Sequence, residues 1–139
     1  MVEGAKTMMA LTDAQTRGLA AGLGLGLLAF GAFSVVTPRP FARIFGFEEP
    51  SAEVIAMMRS IGIRDVAMGA GLCDAAVRGK DYAPWLLARA VADGGDAVAI
   101  GIAATQGKRN LRFIGLGGMA LAAMLTDAAL WALAHRERA

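Results

Sequence analysis

The chain has 139 residues, a formal net charge of +2 and a hydrophobic fraction of 56%. A soluble domain is usually about 45–50% apolar, and a chain of one domain's length has too little interior to bury the excess. The basic residues flank apolar runs and do not form a stripe, which argues against nucleic-acid binding. The single cysteine, Cys73, excludes an internal disulfide, and we expect neither a metal site nor a cofactor.

The first apolar segment runs from Gly18 to Thr37 and contains no charged residue. About 20 apolar residues are enough for a helix to cross the hydrocarbon core of a bilayer. Thr12 and Gln15 have the spacing of a capping box, which predicts that this helix begins near Asp13. Its length exceeds that of the apolar core of a signal peptide, so we interpret it as a retained membrane anchor.

Glycines recur every four residues along this segment, at Gly18, Gly22 and Gly26. Such a repeat is typical of a helix face that approaches another helix closely. The partner is either another helix of the same bundle, which we favour, or a second copy of the chain in a dimer.

Two prolines, Pro38 and Pro40, end the first helix. The aromatic and aliphatic residues that follow are interleaved with Arg43, which is typical of a short segment in the membrane interface. Glu48 and Glu49 then return the chain to water.

Three further apolar segments follow, from Val54 to Val77, from Tyr82 to about Thr105 and from Phe113 to Ala134. Ser51 suits the N-cap of the first of these three segments, Gly79 suits its end, and Gly107 suits the end of the second. The predicted spans are about 16–37, 54–77, 82–105 and 113–134. The sequence therefore predicts an all-α polytopic membrane protein, with residues 1–139 in one antiparallel four-helix transmembrane bundle and a short interfacial segment after the first helix.

Four spans place both termini on one side of the membrane. That side carries six basic residues, Lys6, Arg17, Arg78, Lys80, Arg136 and Arg138. The other side carries five, Arg39, Arg43, Lys108, Arg109 and Arg112. This small difference favours cytoplasmic termini, and we expect an integral protein of a bacterial plasma (inner) membrane.

Charged residues interrupt the later segments. The second contains Arg59, Arg64, Asp65 and Asp74, the third contains Arg89, Asp93 and Asp96, and the fourth contains Asp127. A charge at the middle of a bilayer costs roughly 2.5–3.5 kcal/mol, so these residues must face one another, a water-filled cavity or a ligand.

Helical periodicity indicates how these side chains are arranged. Arg89, Asp93 and Asp96 fall within about 60° of arc and form one polar stripe. Arg64 and Asp65 are about 100° apart, so we expect each to pair with another helix and not with its neighbour. Arg59 lies near a helix end, where its side chain can reach the interface.

The central group contains two arginines, Arg64 and Arg89, and four aspartates. Two carboxylates therefore lack a cationic partner. A protonated buried carboxyl can act as a general acid or carry a proton, and an ionised one can receive a cationic ligand. Buried ion pairs often only tie helices together, but the surplus of carboxylates favours a functional role.

The stretch from Arg59 to Leu72, with Gly62-Ile-Arg-Asp65 followed by Gly69, resembles the signature of a small family of four-helix membrane proteins, domain of unknown function 4267. The resemblance extends to the Pro-rich end of the first segment, to Phe45-Gly46 and to Asp93-Gly-Gly-Asp96. It implies a membrane bundle. The family has no established activity, so the resemblance implies no catalytic residues.

Our first hypothesis is a binding site for a small molecule or lipid. Arg64, Asp65, Arg89 and Asp127 would bind the ligand. Whether the protein is an enzyme stays open; if it is one, Asp93 and Asp96 would be the catalytic acid and base of an isomerisation or cyclisation, and Arg64 would hold an anionic or enolate oxygen.

Two alternatives belong to other classes. One is a proton-coupled small-molecule transporter that acts as a homodimer. The other is a structural or accessory membrane subunit whose ion pairs only specify helix packing. The expected partners are membrane lipid, a lipophilic small molecule and a second copy of the chain, with no nucleic acid.

Overall fold

The computed structural model describes residues 12–107 and 110–136. Its elements in chain order are α1 (Asp13–Val36), α2 (Pro38–Ile44), α3 (Ala52–Val77), α4 (Ala83–Thr105) and α5 (Leu111–Arg136). These described residues form helices and turns without a strand, which confirms the all-α prediction. Four flanking basic residues, Lys6, Lys108, Arg109 and Arg138, and the side chain of Arg136 lie outside the described part.

The helix ends follow the predicted signals. The Thr12 hydroxyl accepts a hydrogen bond from the Gln15 amide at 3.3 Å, and the Gln15 side chain accepts one from the Thr12 amide at 2.8 Å. This capping box confirms the start of α1. Gly79 follows α3 with a φ of +67°, a left-handed conformation that glycine adopts without strain.

The predicted interfacial segment is the short helix α2. Pro38 begins it, where a missing amide proton costs no hydrogen bond. Phe41 is buried, with its ring centroid 4.8 Å from that of Phe30 and 5.0 Å from that of Phe45. These edge-to-face contacts fix α2 against α1.

Close approach of α1 and α3 depends on four glycines in two facing pairs. A Cβ on Gly31 would lie 2.6 Å from the Gly62 carbonyl oxygen, and a Cβ on Gly69 would lie 2.7 Å from the Gly24 carbonyl oxygen. Gly24 faces Gly69 and Gly31 faces Gly62, so the two helices run antiparallel with their backbones in contact. A side chain at any of these four positions would force neighbouring atoms of the facing helix to move.

The prediction that the glycine face of α1 packs inside the bundle is wrong. Gly18, Gly22 and Gly26 are exposed, and no atom outside the local helix lies within 4 Å of a Cβ built on any of them. The contact with α3 turns Gly24 and Gly31 inward, and this leaves the other glycines on the outer surface. Their alternative use in a dimer stays a prediction.

The long helices form two close pairs, α1 with α3 and α4 with α5. Contacts between the pairs are far less extensive, and they run along two lines where α3 meets α4 and α1 meets α5. We call the first of these lines the seam. An apolar core that includes Leu72, Leu86 and Leu130 joins the pairs at the end of the bundle that carries the α3–α4 turn.

Among the described residues, two helices, Asp13–Val36 and Leu111–His135, are long and apolar enough to cross a membrane. α3 and α4 are as long as a span, but their charged residues keep them outside that group. Two of the four predicted spans are therefore candidate spans by length and composition, and the crossing of all four helices stays a prediction.

Candidate functional site

Six charged side chains from three helices meet at the seam. They are Arg64 and Asp65 of α3, Arg89, Asp93 and Asp96 of α4, and Asp127 of α5. We call this set the polar network. It contains every residue that the sequence analysis assigned to a catalytic or ligand-binding role.

One half of the polar network reaches the surface. Arg64 donates two hydrogen bonds to Asp96 across the seam, from Nη2 to Oδ2 at 2.8 Å and from Nη1 to Oδ1 at 3.2 Å. This two-pronged contact is the strong form of an arginine–carboxylate pair. The Arg64 side chain is 28% exposed and that of Asp96 is 34% exposed, so solvent or a ligand can reach this pair.

Arg64 also donates from Nε to Oδ1 of Asp65 at 3.1 Å. The expectation that these neighbours would not pair is therefore wrong. A 100° separation keeps two Cβ atoms apart, but the long arginine side chain turns back across the helix and covers that distance.

The other half of the polar network is buried. Arg89 Nη2 donates to Asp93 Oδ2 at 3.0 Å, one turn along α4. Arg89 Nε lies 2.9 Å from Asp127 Oδ2 on α5, and the two side chains are only 9% and 1% exposed. Despite this short distance, Arg89 Nε and both carboxylate oxygens of Asp127 have no well-directed hydrogen bond.

Asp65 connects the two halves. Its buried carboxylate is bonded to Arg64 and lies close enough to Arg89 and Asp93 to interact with both. The network as a whole has two guanidinium groups and four carboxylates, a formal charge of −2. The predicted surplus of carboxylates is therefore concentrated in one place.

The remaining charged residues of α3 lie outside the polar network. Asp74 pairs with Arg78 at 2.6 Å and with Lys80 at 2.7 Å, near the exposed end of the helix. Arg59 is exposed, as its position near the start of α3 indicated.

Sequence reasoning missed an apolar groove of about 480 Å³ between α1 and α5. Its lining residues are Leu19, Leu23, Leu125, Thr126, Ala129 and Leu130. Leucines one turn apart on α1 were a signal, but such leucines are equally common in a core. The groove lies along the line where α1 meets α5, away from the seam.

No metal centre accompanies these features within the described ranges, where no three His, Cys, Asp or Glu side chains form a group that could hold a metal ion.

These features define a class of small helical protein, in which two close helix pairs enclose a buried acidic network. The chain belongs to the family described as domain of unknown function (DUF4267), whose model matches residues 24–135. The matched region includes all six residues of the polar network, and it confirms the resemblance seen in the sequence. No curated protein and no solved structure matches the chain.

Proposed function

We propose that the chain is an integral membrane protein in which all four long helices cross the bilayer. The outward faces of α3 and α4 support this. Ile63 on α3 is 61% exposed and Val91 on α4 is 68% exposed, whereas their neighbours Arg64 and Arg89 turn inward. A soluble bundle would have the opposite arrangement, with charges outside and aliphatic side chains inside. Five of the charges that interrupt α3 and α4, those of Arg64, Asp65, Arg89, Asp93 and Asp96, are paired with other charges inside the bundle.

We expect the expressed protein to stay in the membrane pellet after alkaline carbonate extraction and to require detergent for release. A matched soluble protein from the same cells, followed in the same fractions, is the control. Release of the folded chain into the carbonate supernatant would contradict the membrane proposal.

We further propose that the polar network binds a small lipophilic molecule at the seam. One observation carries this proposal: the Arg64–Asp96 pair, which crosses the seam, is partly exposed, with 28% and 34% of the two side chains accessible. A molecule that enters between the helix pairs from lipid meets this pair first, with Asp93 behind it. The binding of a polar group by a few charged side chains in an apolar setting is the usual form of a small-molecule site.

The chemistry that fits this site is proton transfer on the bound molecule, as in an isomerisation or cyclisation. Asp93 and Asp96 supply the acid and base. Arg64 is already bonded to two carboxylates, so an anionic or enolate oxygen of the ligand binds there by taking the place of Asp96. Such an exchange frees the Asp96 carboxylate to accept a proton.

Native mass spectrometry of protein purified from its membrane in mild detergent tests the binding proposal. We expect a stoichiometric small molecule on the wild type and its loss from folded Asp93→Asn and Arg64→Ala. Asp74→Asn is the control, because it removes an exposed carboxylate of the same helix bundle that lies outside the polar network. A wild-type spectrum with no bound molecule would contradict the proposal.

A structural role is the second candidate, because the polar network ties three helices together and each guanidinium contacts two carboxylates. If the pairs only hold helices, Arg64→Ala should destabilise the fold by leaving carboxylates unpaired. A charge-free replacement of similar shape, Arg64→Met with Asp65→Asn and Asp96→Asn, should then restore it. Recovery of stability in a chain that never carries a ligand would favour this role over binding.

A further inference from the structure

The buried half of the polar network has one cation for two carboxylates. Arg89 contacts both Asp93 and Asp127, and no other guanidinium or ammonium group among the described residues pairs with either aspartate. Arg89 Nε lies 2.9 Å from Oδ2 of Asp127 but is poorly directed towards it, and Oδ1 has no hydrogen-bond partner, although the side chain is 99% buried. A buried carboxylate without a donor is costly, so this position needs a further hydrogen-bond partner.

The nearest candidate for that partner is Asp93. Oδ2 of Asp93 lies 3.0 Å from Nη2 of Arg89 and Oδ2 of Asp127 lies 2.9 Å from Nε, so one guanidinium brings the two carboxyl groups close together. An ionised carboxylate only accepts hydrogen bonds, so the two groups cannot bond to each other while both are ionised. Two carboxylates that share a site normally retain a proton, because their like charges repel.

The groups on the surrounding helices do not supply a second cation. From α3, Asp65 adds another carboxylate, and Arg64 is engaged with Asp65 and Asp96. α1 carries charge only at Asp13 and Arg17 in its first two turns. The other charged or titratable residues of α5, Arg112, His135 and Arg136, lie near its ends.

We propose that the buried half of the polar network is a proton-binding site, with one proton held between the carboxyl groups of Asp93 and Asp127. The proton completes a hydrogen bond between the two groups and makes the set of Arg89, Asp93 and Asp127 formally neutral. It comes from water and returns there, so no other reactant is needed. Asp93 is the less deeply buried of the two and faces the half of the polar network that reaches the surface. The proton therefore enters and leaves through Asp93.

This inference deepens the proposed function and rests on it in one respect, since the proton would be the one transferred to the bound molecule. It also revises the assignment of the acid. Asp96 is held by both terminal nitrogens of Arg64, which stabilises its ionised form, so Asp96 fits the base and the Asp93–Asp127 pair fits the acid.

Infrared difference spectroscopy of the full chain in mild detergent, without ligand, tests the proton site. We expect the wild type at neutral pH to show the carbonyl stretching band of a protonated carboxyl group, with a downshift in heavy water. Asp127→Asn and Asp93→Asn should each abolish the band, because either change leaves Arg89 paired with one carboxylate. Asp74→Asn should leave the band unchanged.

Absence of the band from the wild type would overturn the inference, even if a variant fails to fold. Persistence of the band in folded Asp93→Asn and Asp127→Asn would overturn it as well. Because no ligand is present, the result is separate from the ligand test. A band in a protein that carries no bound molecule would support the proton site while contradicting the binding proposal.

Discussion

Arg89 contacts carboxylates on two helices, Asp93 on its own helix and Asp127 on α5. The apolar part of its side chain is enclosed by the bundle, so the guanidinium is held in place between them. Removal of one partner from a buried ion pair is far more destabilising than the pair itself is stabilising, because the remaining charge stays out of water. We therefore expect Arg89 to contribute strongly to the stability of the fold, whatever the polar network binds.

Arg89→Met should lower the free energy of unfolding by about 3–5 kcal/mol, the usual effect of leaving a buried charge unpaired. Arg78→Met is the matched control, because Arg78 pairs with Asp74 at an exposed helix end and such pairs contribute little. Unfolding in detergent, followed by circular dichroism, measures both. Equal and small effects of the two changes would contradict this account.

The sequence was sufficient to predict the members of the polar network but not their pairing. Charges in apolar segments must be buried together, and this identified all six residues. Pairing depends on side-chain reach and on the rotation of each helix, which periodicity does not determine. Arg64 therefore bonds to its neighbour Asp65 as well as to Asp96, and Arg89 reaches Asp127.

At the level of helices, the facing glycines let the backbones of α1 and α3 approach closely. They are seven residues apart in each helix, at Gly24 and Gly31 and at Gly62 and Gly69. Seven residues are close to two full turns, so each pair of glycines stays on one face. Backbones that approach this closely leave no room for a methyl group.

Gly31→Ala should lower the free energy of unfolding by about 1–3 kcal/mol, because the new methyl group meets the backbone of α3 at Gly62 and Val66. Gly26→Ala should be neutral or stabilising by up to about 1 kcal/mol, because its site is open and alanine favours the helix. Thermal unfolding of the two variants in the same detergent makes the comparison. A greater loss of stability in Gly26→Ala than in Gly31→Ala would contradict the assignment of Gly24 and Gly31 to the α1–α3 contact.

The same glycines show why helix boundaries were easier to predict than helix faces. Capping residues such as Thr12 and turn glycines such as Gly79 act locally, so their effect can be inferred from a short stretch of sequence. The choice between the Gly18–Gly26 face and the Gly24–Gly31 face depends on a partner helix about 40 residues away in sequence. One helix considered alone offers two acceptable faces.

For the molecule as a whole, the division into two close helix pairs was not evident from the sequence. Short connections predict which helices are neighbours, but α3 and α4, joined by the short turn after Val77, share only a limited contact. The contact between α1 and α5 is just as limited, so the division into pairs runs along both lines and not only along the seam.

Four crossings would place the loops before and after α3 on opposite sides of the membrane, and we propose that the termini are cytoplasmic. Single cysteines at Glu49 and Lys80 test this in a Cys73→Ala parent. A membrane-impermeant maleimide added to intact cells should label Glu49→Cys, and Lys80→Cys should react only after permeabilisation. The parent without added cysteine is the control. Labelling of both positions in intact cells would contradict four crossings.

The bond between Arg64 and Asp96 has a consequence for biogenesis. If its helix entered the bilayer alone, Asp96 would be an unpaired charge and Arg64 would keep only its bond to Asp65, so the two charges are fully paired only when both helices are present. In the proposed membrane setting, α3 must therefore wait at the insertion machinery until α4 has been synthesised, and the two helices leave it as one hairpin. α3 would insert poorly as an independent span, and its pairing with α4 makes its insertion into lipid favourable.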